Sequence, residues 1–257
     1  MKAPAFAYAK PRALSEALEL LERHGERARV LAGGQSLIPS LNMRLSSPEI
    51  LVDLGALALK DIVVKGQRLS VGALATHADI ERSADIRKHV PMLAEAVKHI
   101  AHPAIRNRGT LGGSLALADP AAEYPACAVA LDATIVLQGR KGERRVAAKD
   151  FFRGLFETDL RPGEILTAAE FPILKAGEKC AFLELARRHG DYAIVGLAAF
   201  KGAQTRFVFM NVGPIPVVAV SADELQPTAD LYNSAATKRH LAGVLLERAC
   251  KTLSISR

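Results

Sequence analysis

The chain has no tryptophan, and aromatic residues make up only 5% of its 257 positions. Stacking platforms for nucleobases are therefore scarce, which weakens a nucleic-acid reading of the formal net charge of +7. The basic residues are also scattered, and their densest run, Arg140-Lys141-Gly142-Glu143-Arg144-Arg145, has the composition of a hairpin tip. A solvated basic face, or one that meets an acidic subunit or substrate, fits better. Cysteine is sparse. Cys127, Cys180 and Cys250 are odd in number and form no C-x-x-C, which argues against a disulfide framework and a self-contained iron–sulfur or zinc site. No apolar run reaches the roughly 18 residues of a membrane-spanning helix. The start, Met1 to Phe6, lacks the apolar region of a signal peptide, so a reducing cytoplasm is the expected location.

Hydrophobic residues at 49% supply a core, and charged residues at 24% exclude a disordered chain. The length suits one large domain or two smaller ones. Ala13 to His24 carries Leu14, Ala17, Leu18 and Leu21 at helical spacing, with Gly25 as a stop. Arg29 to Ala32 reads as a short strand, Ser36 to Arg44 as a helix that tolerates Pro39 early, and Ile50 to Leu54 as a second strand. Ile62 to Val71 reads as a hairpin turning at Gly66, and Thr76 as the cap of a helix to Ser83. A helix over Pro91 to Ile100, an Ala-rich stretch from Pro120 to Leu131, and strands at Ala133 to Gln138 and Ile165 to Phe171 follow. Pro172 to Lys179 has linker composition. Beyond it, strands at Cys180 to Ala186, Ala193 to Lys201 and Arg206 to Val212 precede a closing helix from Leu241 to Leu253. The pattern predicts an α+β protein.

Two glycine-bearing turns stand out, Leu31-Ala32-Gly33-Gly34-Gln35-Ser36-Leu37 and Arg108-Gly109-Thr110-Leu111-Gly112-Gly113-Ser114-Leu115. Without a Cβ in the way, backbone N–H groups approach an anion closely, and the strand–turn–helix setting of the first turn adds a helix N-terminus. Two such turns predict a ligand with two phosphates, a dinucleotide. A structural turn is the competing reading of each. Neither turn is a G-x-G-x-x-G or a G-x-x-x-x-G-K-[ST]. A bulky residue at Gly34 or Gly112 is expected to abolish ligand binding and leave the fold intact. Arg106, Asn107 and Arg108 read equally as solvated loop residues or as phosphate partners. Asp119 before Pro120 reads as a helix cap, compatible with a hydrogen bond to a sugar hydroxyl. Tyr192, in the polar loop Arg187 to Tyr192, could lie on a flat cofactor ring or in a plain hairpin loop. His24, His77, His89 and His99 lack metal-ligand spacing and are expected at solvated positions.

The two turns, the run HPAIRNRGTLGGSLALADPAAEYPA and the segment ARRHGDYAIVGLAAF together resemble the FAD-binding medium subunit of molybdenum hydroxylases. This is the carbon monoxide dehydrogenase medium-subunit type, similar to the flavin domain of xanthine dehydrogenases, and the resemblance covers nearly the whole chain. It implies a PCMH-type FAD-binding fold of two α+β subdomains, at about 1–55 and 56–174, plus a C-terminal α+β domain at 175–257 with a three-stranded sheet and helices. It also implies FAD contacts at Ala32, Gly33, Gly34, Gln35 and Ser36 in the first loop and at Thr110, Leu111, Gly112, Gly113 and Ser114 in the second. Glu123 would lie near the ribityl chain, Leu166 would offer a backbone contact, and Tyr192 would face the isoalloxazine ring. No Cys or His lies in either turn, so the FAD is expected to be non-covalent. The chain departs from the family at Leu117, often His, at Leu183, a Lys in the xanthine dehydrogenase branch, and at Thr237, often aromatic; Leu117 and Leu183 would bear on the flavin region.

The resemblance implies an electron-transfer subunit that draws electrons from [2Fe–2S] clusters of a small partner, downstream of a molybdopterin large subunit. A dimer of such heterotrimers is the expected assembly, with no nucleic acid and no membrane span. No acid, base or nucleophile is assigned to this chain. A stand-alone FAD reductase of the same fold is the alternative, and a binding module that has lost FAD is a third reading.

Overall fold

A computed structural model describes residues 2–255 and shows three sheets, each with its own helices, together with a two-stranded hairpin. The first unit contains β1 (Ala7–Ala9), α1 (Leu14–His24), β2 (Ala28–Leu31), α2 (Leu37–Asn42) and β3 (Ile50–Asp53). Its strands are parallel in the order β1-β3-β2. α1 buries Ala17, Leu18 and Leu21 against this sheet, and Gly25, at φ 53°, ends the helix by donating its N–H to the Leu21 carbonyl. Parallel strands require a crossover, and the β2–α2–β3 crossover places the first glycine turn at the carboxyl end of β2.

The second unit runs through β4 (Ile62–Lys65), β5 (Arg68–Gly72), α3 (His77–Arg82), α4 (Ala84–His89), α5 (Pro91–Ala96) and α6 (Pro103–Arg106). It continues with α7 (Leu111–Leu117), α8 (Glu123–Ala130), β6 (Thr134–Gly139), β7 (Gly142–Ala147), β8 (Phe152–Gly154), β9 (Glu157–Thr158) and β10 (Ile165–Pro172). Five strands form an antiparallel sheet in the order β4-β5-β10-β6-β7. The Thr76 cap is present as a reciprocal box: its hydroxyl accepts the Asp79 N–H, and the Asp79 carboxylate accepts the Thr76 N–H. The strand β7, not read from the sequence beyond its hairpin tip, is an exposed edge strand whose Arg144 makes two hydrogen bonds to Glu164.

The third unit holds β11 (Lys179–Ala186), β12 (Ala193–Lys201), β13 (Arg206–Met210), β14 (Val217–Val218) and α9 (Ala235–Leu253). The expected three-stranded C-terminal sheet is β11-β12-β13, and the two-residue β14 adds a fourth strand at its edge. α9 starts six residues before the sequence-based boundary, at a Ser234 cap that accepts the Thr237 N–H at 3.0 Å. One face of this sheet packs on α9, with Leu245, Leu246 and Leu253 buried there. The other face, with Phe182, Ala198 and Met210, shares a core with α5 and α8 of the second unit. The expected linker is stitched down at its start, where the N–H groups of Ile173 and Leu174 reach the Gln67 and His89 carbonyls at 3.0 Å. Among the described residues, no helix is long and apolar enough to cross a membrane.

Candidate functional site

A cavity of about 990 Å³ opens where the units meet, at the upper end of ordinary ligand sites. Both glycine turns, the stretch Asp119 to Glu123, the segment Leu160 to Leu166 and the loop tip Gly190 to Tyr192 all contribute to its wall. Of the residues singled out in the sequence, Ala32, Gly33, Gly34, Gln35, Ser36, Thr110, Gly112, Gly113, Ser114, Glu123, Leu166 and Tyr192 meet at this one cavity. Leu111 does not line it. Its side chain is fully buried in the hydrophobic core, as the position after a helix cap that faces the sheet.

The two turns are built differently. In the first, Gly34 sits at φ 75°, a region that L side chains enter only with strain. The N–H groups of Gly33, Gly34, Gln35 and Ser36 meet no acceptor among the described residues. The Gln35 amide bonds back to the Gly33 carbonyl at 3.1 Å, which fixes the turn. This is a cradle of backbone donors at the start of α2, facing a cavity.

The second turn is the first turn of α7, capped by Thr110, whose hydroxyl accepts the Gly113 N–H at 3.1 Å. Four further backbone donors of this turn are taken as well. Gly109 donates to Ile105 at 2.8 Å, Leu111 to Ala75 at 3.0 Å, Gly112 to Ala73 at 2.8 Å and Ser114 to Thr110 at 3.0 Å. The glycines here allow close packing. A Cβ on Gly112 would stand 2.5 Å from the Ala73 Cβ, and one on Gly109 would stand 2.5 Å from His77 Nε2. The expectation that Gly112→Val spares the fold is therefore corrected: the added side chain would push into the core rather than into the cavity. Gly33 joins the two turns, because its Cβ would lie 2.2 Å from the Arg108 carbonyl oxygen. What the second run offers the cavity is the side chains of Thr110 and Ser114 and the bare surface of Gly113.

Three other expectations change. Arg106 is neither solvated nor aimed at the cavity: it is buried, pairs with Glu81 at 3.1 Å, and donates to the Ile100 and Ala101 carbonyls at 3.1 Å. Asp119 caps no helix; it accepts the Ala121 N–H at 2.9 Å in a local turn, and α8 starts at Glu123. His77 is buried rather than solvated and lines the cavity, with no partner for Nδ1 among the described residues. Burial, then the nearby Arg106 charge, push its pKa down to about 4, so the ring is neutral at pH 7. Gly109 must be bare because His77 lies against it, a contact that a single sequence does not reveal.

Tyr192 is 78% exposed at the rim, on a loop locked by Gly190, whose φ of 83° brings it onto the Ala101 carbonyl. Leu166 is buried, so only its edge or backbone meets the cavity. Leu117 lines the cavity, whereas Leu183 points away from it, toward α9.

Fold and site together define an α+β protein with a dinucleotide-sized cleft walled by a donor-rich turn. Residues 4–174 match the family described as the FAD binding domain in molybdopterin dehydrogenase, and the chain belongs to that family. It is 45% identical over 200 residues to the 6-hydroxypseudooxynicotine dehydrogenase complex subunit alpha of Paenarthrobacter nicotinovorans, covering 77% of this chain and 68% of that one. It is 34% identical to the carbon monoxide dehydrogenase medium chain of Hydrogenophaga pseudoflava, covering 96% of both chains. Among solved structures, carbon monoxide dehydrogenase from Hydrogenophaga pseudoflava aligns with a TM-score of 0.94 at 33% identity, over 99% of both chains. Quinoline 2-oxidoreductase from Pseudomonas putida 86 aligns with a TM-score of 0.93 at 36% identity, over 99% of this chain and 98% of that one. The chain is thus an FAD-binding subunit of the molybdenum hydroxylase type, part of an oxidoreductase.

The residues present fit that cofactor. The unpartnered N–H groups of the first turn suit a pyrophosphate, and Gly34 keeps the approach clear.

Proposed function

We propose that this chain is the electron-transfer subunit of a molybdenum hydroxylase, passing electrons from [2Fe–2S] clusters of a small partner through FAD to an external acceptor. The observation that carries the reading is the open cradle of donors at Gly33 to Ser36 in a chain of an FAD-binding family. FAD supplies the two-electron redox chemistry. This chain's part is to bind, orient and shield. Backbone donors of the first turn take the pyrophosphate, Thr110 and Ser114 add hydroxyls, Glu123 and the Leu166 backbone meet the ribityl and ring portions, and Tyr192 covers the ring at the rim. No residue is assigned as acid, base or nucleophile.

Residues 1–174 serve as the FAD-binding domain and 175–257 as a C-terminal domain; the family match ending at 174 supports this division. The partners are a small [2Fe–2S] subunit and a large molybdopterin subunit, as a dimer of heterotrimers in the cytoplasm. Relatives named as a complex subunit, a medium subunit and a medium chain favour this over a stand-alone reductase. Co-expression with the two partner genes tests it: the three chains should copurify with flavin, iron and molybdenum, and dithionite-reduced clusters should reduce the flavin. A yellow protein that reduces substrate alone and ignores the partners would contradict the reading.

A further inference from the structure

The ladder between β12 and β13 stops at the pair Gly196–Met210, so the start of β12, just after Tyr192, has no partner on β13. Asn211, the residue that follows β13, takes over. Its backbone is left-handed, at φ 57°, a conformation that asparagine tolerates better than most residues but still at a cost. From there it reaches three parts of the molecule. The side-chain amide donates to the Ala193 carbonyl at 2.6 Å and to the Ile194 carbonyl at 3.3 Å. The backbone N–H donates to the Pro120 carbonyl at 2.8 Å. The backbone carbonyl accepts from Lys238 Nζ at 3.2 Å. Lys238 lies on α9, is 3% exposed and pairs with Asp230 at 2.9 Å. A second route runs back from this pair. Asp230 accepts the Tyr232 N–H at 2.8 Å, the Arg187 guanidinium lies 4.2 Å from the centre of the Tyr232 ring, and Arg187 pairs with Asp191 at 3.7 Å. The contacts thus close a ring that holds Tyr192 on both sides, through Asp191 before it and Ala193 after it.

We propose that Asn211 is a positioning residue that acts through Tyr192: it fixes this rim residue relative to the stretch Asp119 to Ala121 of the cavity wall. Tyr192, Asp119 and Ala121 line the cavity, and Asn211 stands behind them, bonded to Ala193 next to the first and to Pro120 between the other two. A strained backbone persists where its surroundings over-determine it, and here four hydrogen bonds and a buried ion pair do so. The proposal rests on the reading that Tyr192 covers the flavin ring.

Asn211→Gly keeps the left-handed backbone and its N–H and removes only the side-chain amide. In the FAD-loaded chain it should shift the flavin absorption band in the direction that Tyr192→Ala shifts it. It should also change the rate of flavin reoxidation by oxygen about threefold or more, with FAD affinity altered less than that. Asn211→Asp, which also tolerates this backbone but cannot donate to Ala193, should behave in the same way. Added to Tyr192→Ala, either substitution should change the rate by less than about 1.5-fold, because nothing is left for it to position. A merely structural role would lower stability and leave spectrum and rate unmoved, or would act equally in both backgrounds, and either result would overturn the proposal while leaving the Tyr192 reading in place. Should both variants fail to fold, nuclear magnetic resonance of the wild type decides. The Asn211 side-chain amide protons should exchange slowly and shift when FAD binds, and fast exchange or unmoved signals would overturn the proposal. An unchanged spectrum and rate in Tyr192→Ala itself would overturn the Tyr192 reading and this proposal with it.

Discussion

The two glycine turns share a sequence pattern and differ in what their glycines do. In the first, Gly34 has a positive φ and the N–H groups of Gly33 to Ser36 have no acceptor among the described residues, an arrangement that suits an anion. In the second, every N–H from Leu111 to Ser114 is already bonded within the protein, and the absent Cβ atoms admit Ala73 and His77. A paired glycine thus marks a close approach, and only the surroundings tell whether a ligand or the protein itself approaches. The second turn reaches the cavity through side chains held by a rigid helix start, the first through its backbone.

The largest expected effect breaks the second turn. Gly112→Val forces side-chain atoms into the Ala73 backbone and should destabilise the protein by about 3 kcal/mol or more. Chemical denaturation reads this, and a variant as stable as the wild type would remove the packing role assigned to Gly112. The first turn responds in the opposite way. Gly34→Val should cost about 1–2 kcal/mol of backbone strain and weaken FAD binding more than tenfold, with the fold retained. Circular dichroism and bound flavin measured on the same sample separate the two effects, and full flavin occupancy would sever Gly34 from the site.

Acid should loosen the second turn first. His77 has a folded pKa of about 4, below the value of about 6.5 in an unfolded chain. The unfolded state therefore binds the extra proton between these values, and the stabilisation present above about pH 6.5 is lost as pH falls toward 4. The loss should be about 3 kcal/mol, and His77→Phe should reduce it. An identical acid transition in this variant would show that His77 does not titrate as described. The smallest effect is expected at Tyr192, which neither turn holds. Tyr192→Ala should alter the flavin absorption band and its reoxidation rate while changing affinity by only about 1 kcal/mol. An unchanged spectrum would leave Tyr192 as a surface loop residue.

Much of the scaffold is legible in the sequence because its signals are local. The Gly66 hairpin, the Thr76 cap and the amphipathic stripe of α1 need no knowledge of the rest of the chain. The early start of α9 was hidden because Ala235 to His240 carries no apolar stripe, and only Ser234 announces it. The pair Val217–Val218 is too short for any alternation to show. At the candidate site, the sequence marked residues that, Leu111 excepted, line one cavity, but not the contacts each of them makes. Arg106 looks like a phosphate partner until its carbonyl acceptors at Ile100 and Ala101 are seen.

Amide hydrogen exchange, followed residue by residue in flavin-free protein and after FAD addition, tests the contrast between the turns most directly. The amides of Gly33 to Ser36 should exchange fast without FAD and become protected when it binds. Those of Leu111, Gly112 and Gly113 should be protected throughout, with little response to FAD. Protection gained at Leu111 to Gly113 with none at Gly33 to Ser36 would contradict the account.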